Sequence, residues 1–216
     1  MYGLLIRFLT RYASRHVRTI DGLEVRCRSD VGDPEAWLSR VESAFVLLRE
    51  AHPKALQRLH RIAALIVVTN GKVALGEWDP RGRIIEVSSG LTDRVAIQWQ
   101  LDPIAILAST LVHESTHARL GELGLDFMSA PLRHERLCIR EEEHFARRID
   151  NARLQENVRA KRYRNVDELA TFRDTNERDI LDQLASLGVP SSALFVLTRL
   201  AQARSQRNRK RWRGGA

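Results

Sequence analysis

From residue 104 to residue 112 the chain reads Ile-Ala-Ile-Leu-Ala-Ser-Thr-Leu-Val with no charge, and His113-Glu114-Ser115-Thr116-His117 follows directly. Asp102 and Pro103 before it form an N-cap and first-turn proline pair, and Gly121 and Gly124 beyond Leu120 supply stops, so the spacing predicts one helix carrying both segments. A helix that is apolar nearly all round must be buried. Three ionisable side chains in such a helix cost several kcal/mol of desolvation unless something binds them. This segment therefore demands covering layers on several sides and a partner for its polar end.

On a helix, positions four apart differ by about 40° in direction and about 6 Å in height, so His113 and His117 can converge on one ion. Neutral imidazole is a good zinc donor, and a catalytic zinc site takes three protein ligands with a further position left open. Glu114 points about 100° round the helix from His113, where its carboxylate can reach an attacking water without joining the ligands. HExxH on a helix thus predicts one Zn2+ per chain and hydrolysis of an amide bond with Glu114 as general base. The plainer alternative is a pair of core histidines satisfied by backbone carbonyls.

The remaining pattern is mixed. Asp33-Pro34-Glu35 starts a helix in which Trp37, Val41, Ala44, Phe45 and Leu48 recur at helical spacing until His52-Pro53, with a second helix over 55–62. The β-branched run 63–69 ends at Asn70-Gly71, read as a hairpin signal with a returning strand over 72–76. After a turn at Asp79-Pro80-Arg81-Gly82, a third strand is expected over Ile84–Ser88. Residues 133–162 read as one long helix or two, and 166–187 and 191–206 as two more. The expected fold is α+β: a small antiparallel or mixed three-stranded sheet packed on the HExxH helix, with additional C-terminal helices. Residues 1–203 form one domain in this reading and 204–216 a basic tail.

HExxH followed by a downstream helix rich in glutamate resembles the gluzincin branch of the zincin metallopeptidases, particularly its small, minimal members, over about residues 60–150. The resemblance implies a zincin-like fold and a third zinc ligand on the later helix, commonly in an ExxA pattern. In Arg140-Glu141-Glu142-Glu143-His144-Phe145-Ala146, Glu143 has the alanine three residues on and is the expected ligand. Glu142 shares a helical stripe with Cys138, Phe145 and Ile149 and remains an alternative; Glu141 and His144 fit less well. The chain departs from many relatives at Arg147, where an acid or amide is usual, and at Arg119, where an apolar residue is usual. The resemblance also implies an extended peptide substrate along an edge strand, for which Ile84–Ser88 is the candidate, and an oxyanion donor, for which His134, His144 and Tyr163 are candidates.

Composition narrows the classes. Cys27 and Cys138 form no CxxC pair and suggest neither a disulfide framework nor a zinc ribbon, which fits a reducing cytoplasm. Arg7 and Arg11 interrupt the N-terminal apolar run before a signal peptide's core could form, and no stretch approaches the length of an integral membrane segment. The net charge is +8, only four of the 35 basic residues are lysine, and Arg204, Arg207, Arg209, Lys210, Arg211 and Arg213 crowd the C-terminus. A protein or peptide substrate is the expected partner, with polyanion contact through that tail. The competing class is a basic nucleic-acid-binding or regulatory protein with a structural or inactive zincin-like domain, although no nucleic-acid-binding motif stands out.

Overall fold

The computed structural model describes residues 14–71, 74–80, 82–125 and 131–161. The chain divides into two compact units, 1–164 and 165–216, and the described residues belong to the first. The helices expected over 166–187 and 191–206, the basic tail and Tyr163 lie outside the described residues.

The first unit is α+β, with a mixed five-stranded sheet and six helices among the described residues. In chain order these are β1 (Ser14–Ile20), β2 (Leu23–Arg28), α1 (Pro34–Ala51), α2 (Pro53–Ile62), β3 (Leu65–Thr69), β4 (Gly76–Asp79), β5 (Ile84–Ser88), α3 (Ser89–Trp99), α4 (Pro103–Glu122), α5 (Pro131–Arg148) and α6 (Ala152–Lys161). The strands are ordered β1-β2-β3-β5-β4, two more than the expected three. The pair β1–β2 is an antiparallel hairpin turning at Asp21-Gly22, both at positive φ (52° and 83°), as a two-residue type I′ turn requires.

The hairpin expected at Asn70-Gly71 does not form. β3 lies between β2 and β5 and is parallel to both. All five of its residues, Leu-Ile-Val-Val-Thr, are buried, which is the burial of a central parallel strand covered on both faces. The second hairpin joins β4 to β5 instead, and beyond the end of β4 Gly82 N–H donates to Asp79 Oδ2 at 3.1 Å. β5 is therefore an interior strand, and β4 is the edge.

Helix boundaries follow local chemistry. Asp33 caps α1 by accepting from Ala36 N–H, and Asp102 caps α4 by accepting from Ile104 N–H. His52 ends α1 and caps α2, its Nδ1 accepting from Ala55 N–H. Ser88 caps α3, the helix missing from the sequence reading. The expected charged helix is two, α5 and α6, broken at Asp150 (φ 50°) and Asn151, whose side chain accepts from Leu154 N–H.

α4 is the centre of the unit, packing on α1, α2, α3, α5, β4 and β5. Ala105, Ile106, Leu107, Ala108, Leu111 and Val112 are all buried, joining Phe45, Leu48, Leu59, Ile66, Ile85 and Phe145 in one core. A polar tie links α2, α4 and α5 beside it: the Arg58 guanidinium contacts Thr116 Oγ1 at 3.5 Å and Glu141 Oε2 at 3.0 Å, and His52 Nε2 lies 3.4 Å from the same carboxylate oxygen. The nearby His52, followed by Arg58, holds the Glu141 carboxyl down to about 2 against its partial burial. A lowered folded-state pKa stabilises the fold above the ordinary carboxyl range and loses that contribution as pH falls towards 2. Wild type should therefore exceed Glu141→Gln in urea midpoint at pH 7, and the gap should close progressively between about pH 4.5 and pH 2.

Candidate metal centre

The last turns of α4 present His113, Glu114 and His117 to a space bounded by α5 and by the edge strand β4. The two Nε2 atoms lie 3.0 Å apart, and the Glu135 carboxylate of α5 places Oε2 3.4 Å from His113 Nε2 and Oε1 3.2 Å from His117 Nε2. For bonds of 2.0–2.1 Å, donor atoms at the corners of a tetrahedron are separated by about 3.3–3.4 Å. The two imidazole–carboxylate separations fall close to that edge, and the imidazole–imidazole separation is shorter, in the hydrogen-bond range. His113, His117 and Glu135 side chains are 15%, 14% and 18% exposed.

Each imidazole is oriented from behind. His113 Nδ1 faces Glu142 Oε2 at 3.4 Å, and neither atom makes a hydrogen bond elsewhere. Glu142 is fully buried; its other oxygen accepts from Lys161 Nζ at 2.7 Å and Ser109 Oγ at 3.2 Å. For His117 the orienting group is His134, whose Nδ1 is 3.5 Å from His117 Nδ1 and whose Nε2 donates to Leu125 O at 2.8 Å. A proton on His134 Nε2 makes its Nδ1 an acceptor, so His117 carries its proton on Nδ1. With both rings neutral, their Nε2 lone pairs would be directed to the common point, the arrangement that second-layer carboxylates and imidazoles impose on metal-ligating histidines.

The electrostatics suit a cation. Burial alone would lower the His113 pKa, but the Glu142 charge and then the Glu135 contact raise it to about 10. Burial pushes the Glu135 carboxyl up, yet the two imidazoles hold it below the ordinary range. Burial pushes up Glu142, but Lys161 and then His113 bring it to about 2. In Glu114 burial dominates and raises the pKa despite the imidazoles, strengthening it as a proton acceptor.

Of the expected ligands, the structure brings His113 and His117 together and sets Glu114 beside them. It does not bring Glu143 to them. On α5, Glu135, Cys138 and Glu142 share one stripe, whereas Glu143 is turned about 80° away from Glu135 and lines a small cleft with Arg147, Gln155 and Arg159. The ExxA correspondence selected a residue out of phase with the face that meets α4. Glu142, the alternative, reaches the back of His113, and Glu141 ties to Arg58. Glu135, which the sequence reading did not consider, lies on the same stripe as Glu142, one heptad earlier.

His113, His117 and Cys138 form a group able to hold a metal ion, their donor atoms all within 4.8 Å of one another. Two third donors thus compete, Cys138 and Glu135. Burial, then Glu135 and the neighbouring acids, push the Cys138 pKa up. Glu135 is ionised and touches both imidazoles, so the geometry favours it. Of the expected oxyanion donors, His134 is committed to His117 and Leu125, and His144 lies in a different cleft with Arg119 and Arg140.

The edge strand crosses close above the helix. A Cβ on Gly76, the first residue of β4, would stand 2.5 Å from Thr110 Cγ2, 3.0 Å from Glu114 Cγ and 3.1 Å from Glu114 Oε1. Only glycine permits this approach, which fixes the position of the Glu114 carboxylate against the strand. No helix among the described residues is long and apolar enough to cross a membrane. Comparison of the chain with known protein families, curated proteins and solved structures returns no match.

Gly76→Ala should force β4 away from α4, costing about 1–3 kcal/mol as overpacking does. Urea denaturation reads the loss; an unchanged midpoint would mean that strand and helix are not in close contact.

Proposed function

We propose that this protein is a zinc-dependent metallopeptidase of zincin-like architecture, in which His113, His117 and Glu135 hold the metal and Glu114 is the general base. The observation that carries this reading is the near-tetrahedral spacing of two imidazole nitrogens and a carboxylate, beside a buried glutamate whose pKa is raised. Zinc, when bound, supplies Lewis acidity towards water and towards the scissile carbonyl oxygen.

The chain's own residues do the rest. Glu114 accepts a proton from the attacking water and delivers it to the leaving amine; its burial raises the proton affinity that both transfers use. Glu142 and His134 are positioning residues that keep the imidazole protons on Nδ1. An extended peptide would pair with β4, whose outer edge pairs with no strand among the described residues. Main-chain pairing there sets a scissile bond along the strand that touches Glu114.

The purified chain should retain about one zinc, as the single donor group implies. His113→Ala, His117→Ala and Glu135→Ala should each lose it, while Glu143→Ala should keep it. Glu114→Gln should keep the metal and lower cleavage of a casein or peptide library by at least about a hundredfold. Zinc bound equally well by Glu135→Ala would refute the ligand assignment, and full activity in Glu114→Gln would refute the mechanism.

A further inference from the structure

A second concavity, of about 340 Å³, lies on another face of the α4–α5 pair, lined by Thr116, Arg119 and Leu120 from α4 and by Leu137, Arg140, Glu141, His144 and Arg147 from α5. Its charge is one-sided. Glu141, the acid among these residues, is already bound by Arg58 and His52. Arg119 and Arg140 are exposed and form no ion pair among the described residues, and the Arg147 Nε donates only to Glu143 O at 3.3 Å. Three arginines thus line one hollow whose acid, Glu141, is already engaged by Arg58 and His52.

The spacing suits a small ligand rather than a long chain. Arg140 and Arg147 are two helical turns apart on α5, about 10 Å, and Arg119 approaches from the facing helix. Side chains of that length can close on a single compact anion from three directions. Leu120 and Leu137 supply an apolar wall, and Thr116 stands on the α4 side. The guanidinium fork matches tetrahedral phosphoryl oxygens two at a time, which a lysine could not do. The His144 imidazole has its proton affinity lowered by burial and then by Arg148.

We propose that this arginine-lined cleft binds a compact phosphorylated anion, of the size of a pyrophosphoryl group, through Arg119, Arg140 and Arg147. Such a ligand would bridge the two helices that carry the candidate metal ligands, without contacting those ligands. The site is independent of the hydrolytic reading, since none of its residues touches the imidazoles or Glu114.

Isothermal titration of the full-length, zinc-loaded protein with inorganic pyrophosphate, and separately with ADP, tests the idea. One site is expected, and Arg119→Gln/Arg140→Gln should weaken it by about tenfold or more, since each pairs as a charge-assisted fork. Arg209→Gln/Arg211→Gln, in the basic C-terminal segment, should leave it unchanged. Equal affinity for the two probes would support recognition of phosphoryl groups alone; tighter ADP would support a nucleotide. Absence of binding, equal binding by wild type and the cleft variant, or loss only in the C-terminal variant would overturn the proposal. Binding of a single-stranded oligonucleotide with none of pyrophosphate would also overturn it, in favour of a nucleic-acid surface.

Discussion

The contact between α4 and α5 is the constraint on which the rest depends. α4 is buried on nearly every side, yet its C-terminal half carries two histidines and a glutamate, and the facing stripe of α5 carries Glu135, Cys138 and Glu142. Buried charges are tolerated when they are paired and hydrogen-bonded, and here the pairing is arranged in layers. Lys161 from α6 and Ser109 from α4 hold one oxygen of Glu142, its other oxygen faces His113, and Glu135 spans both imidazoles in front. The position of α6 is part of the same device, because the break at Asp150-Asn151 turns the chain back so that Lys161 reaches the buried carboxylate.

The sheet contributes an edge rather than a reactive group. β2, β3 and β5 form a parallel centre in which β3 is buried on both faces, and β4 is added antiparallel at the edge. Because Gly76 has no side chain, the strand passes within van der Waals distance of Glu114, and a substrate paired to β4 would inherit that proximity. Proton transfer and substrate alignment would then share one support, so a disturbance of the strand would be felt at the base.

How much of this was legible depended on whether the signal was local. Caps and breakers are local: Asp33-Pro34, His52-Pro53 and Asp102-Pro103 mark helix boundaries in the sequence and in the fold. The i,i+4 relation of His113 and His117 is local too, and it survives. Partner choice is not local. Asn70-Gly71 has hairpin chemistry, but β3 is apolar on both faces and takes parallel neighbours, one of them from a β1–β2 hairpin whose Asp21-Gly22 turn was equally readable and was passed over. The third donor depends on partner choice in the same way. An alanine three residues after Glu143 is a correspondence between sequences, whereas the helix phase shared by Glu135, Cys138 and Glu142 is a property of the packed face.

The most direct test of the central claim is X-ray absorption at the zinc K-edge of the metal-loaded protein. With two imidazoles and the Glu135 carboxylate as ligands, the first shell should contain only nitrogen and oxygen at about 2.0–2.1 Å, with the multiple scattering of two imidazole rings. A sulfur scatterer at about 2.3 Å would place Cys138 in the site instead, and a shell without imidazole scattering would contradict the account outright.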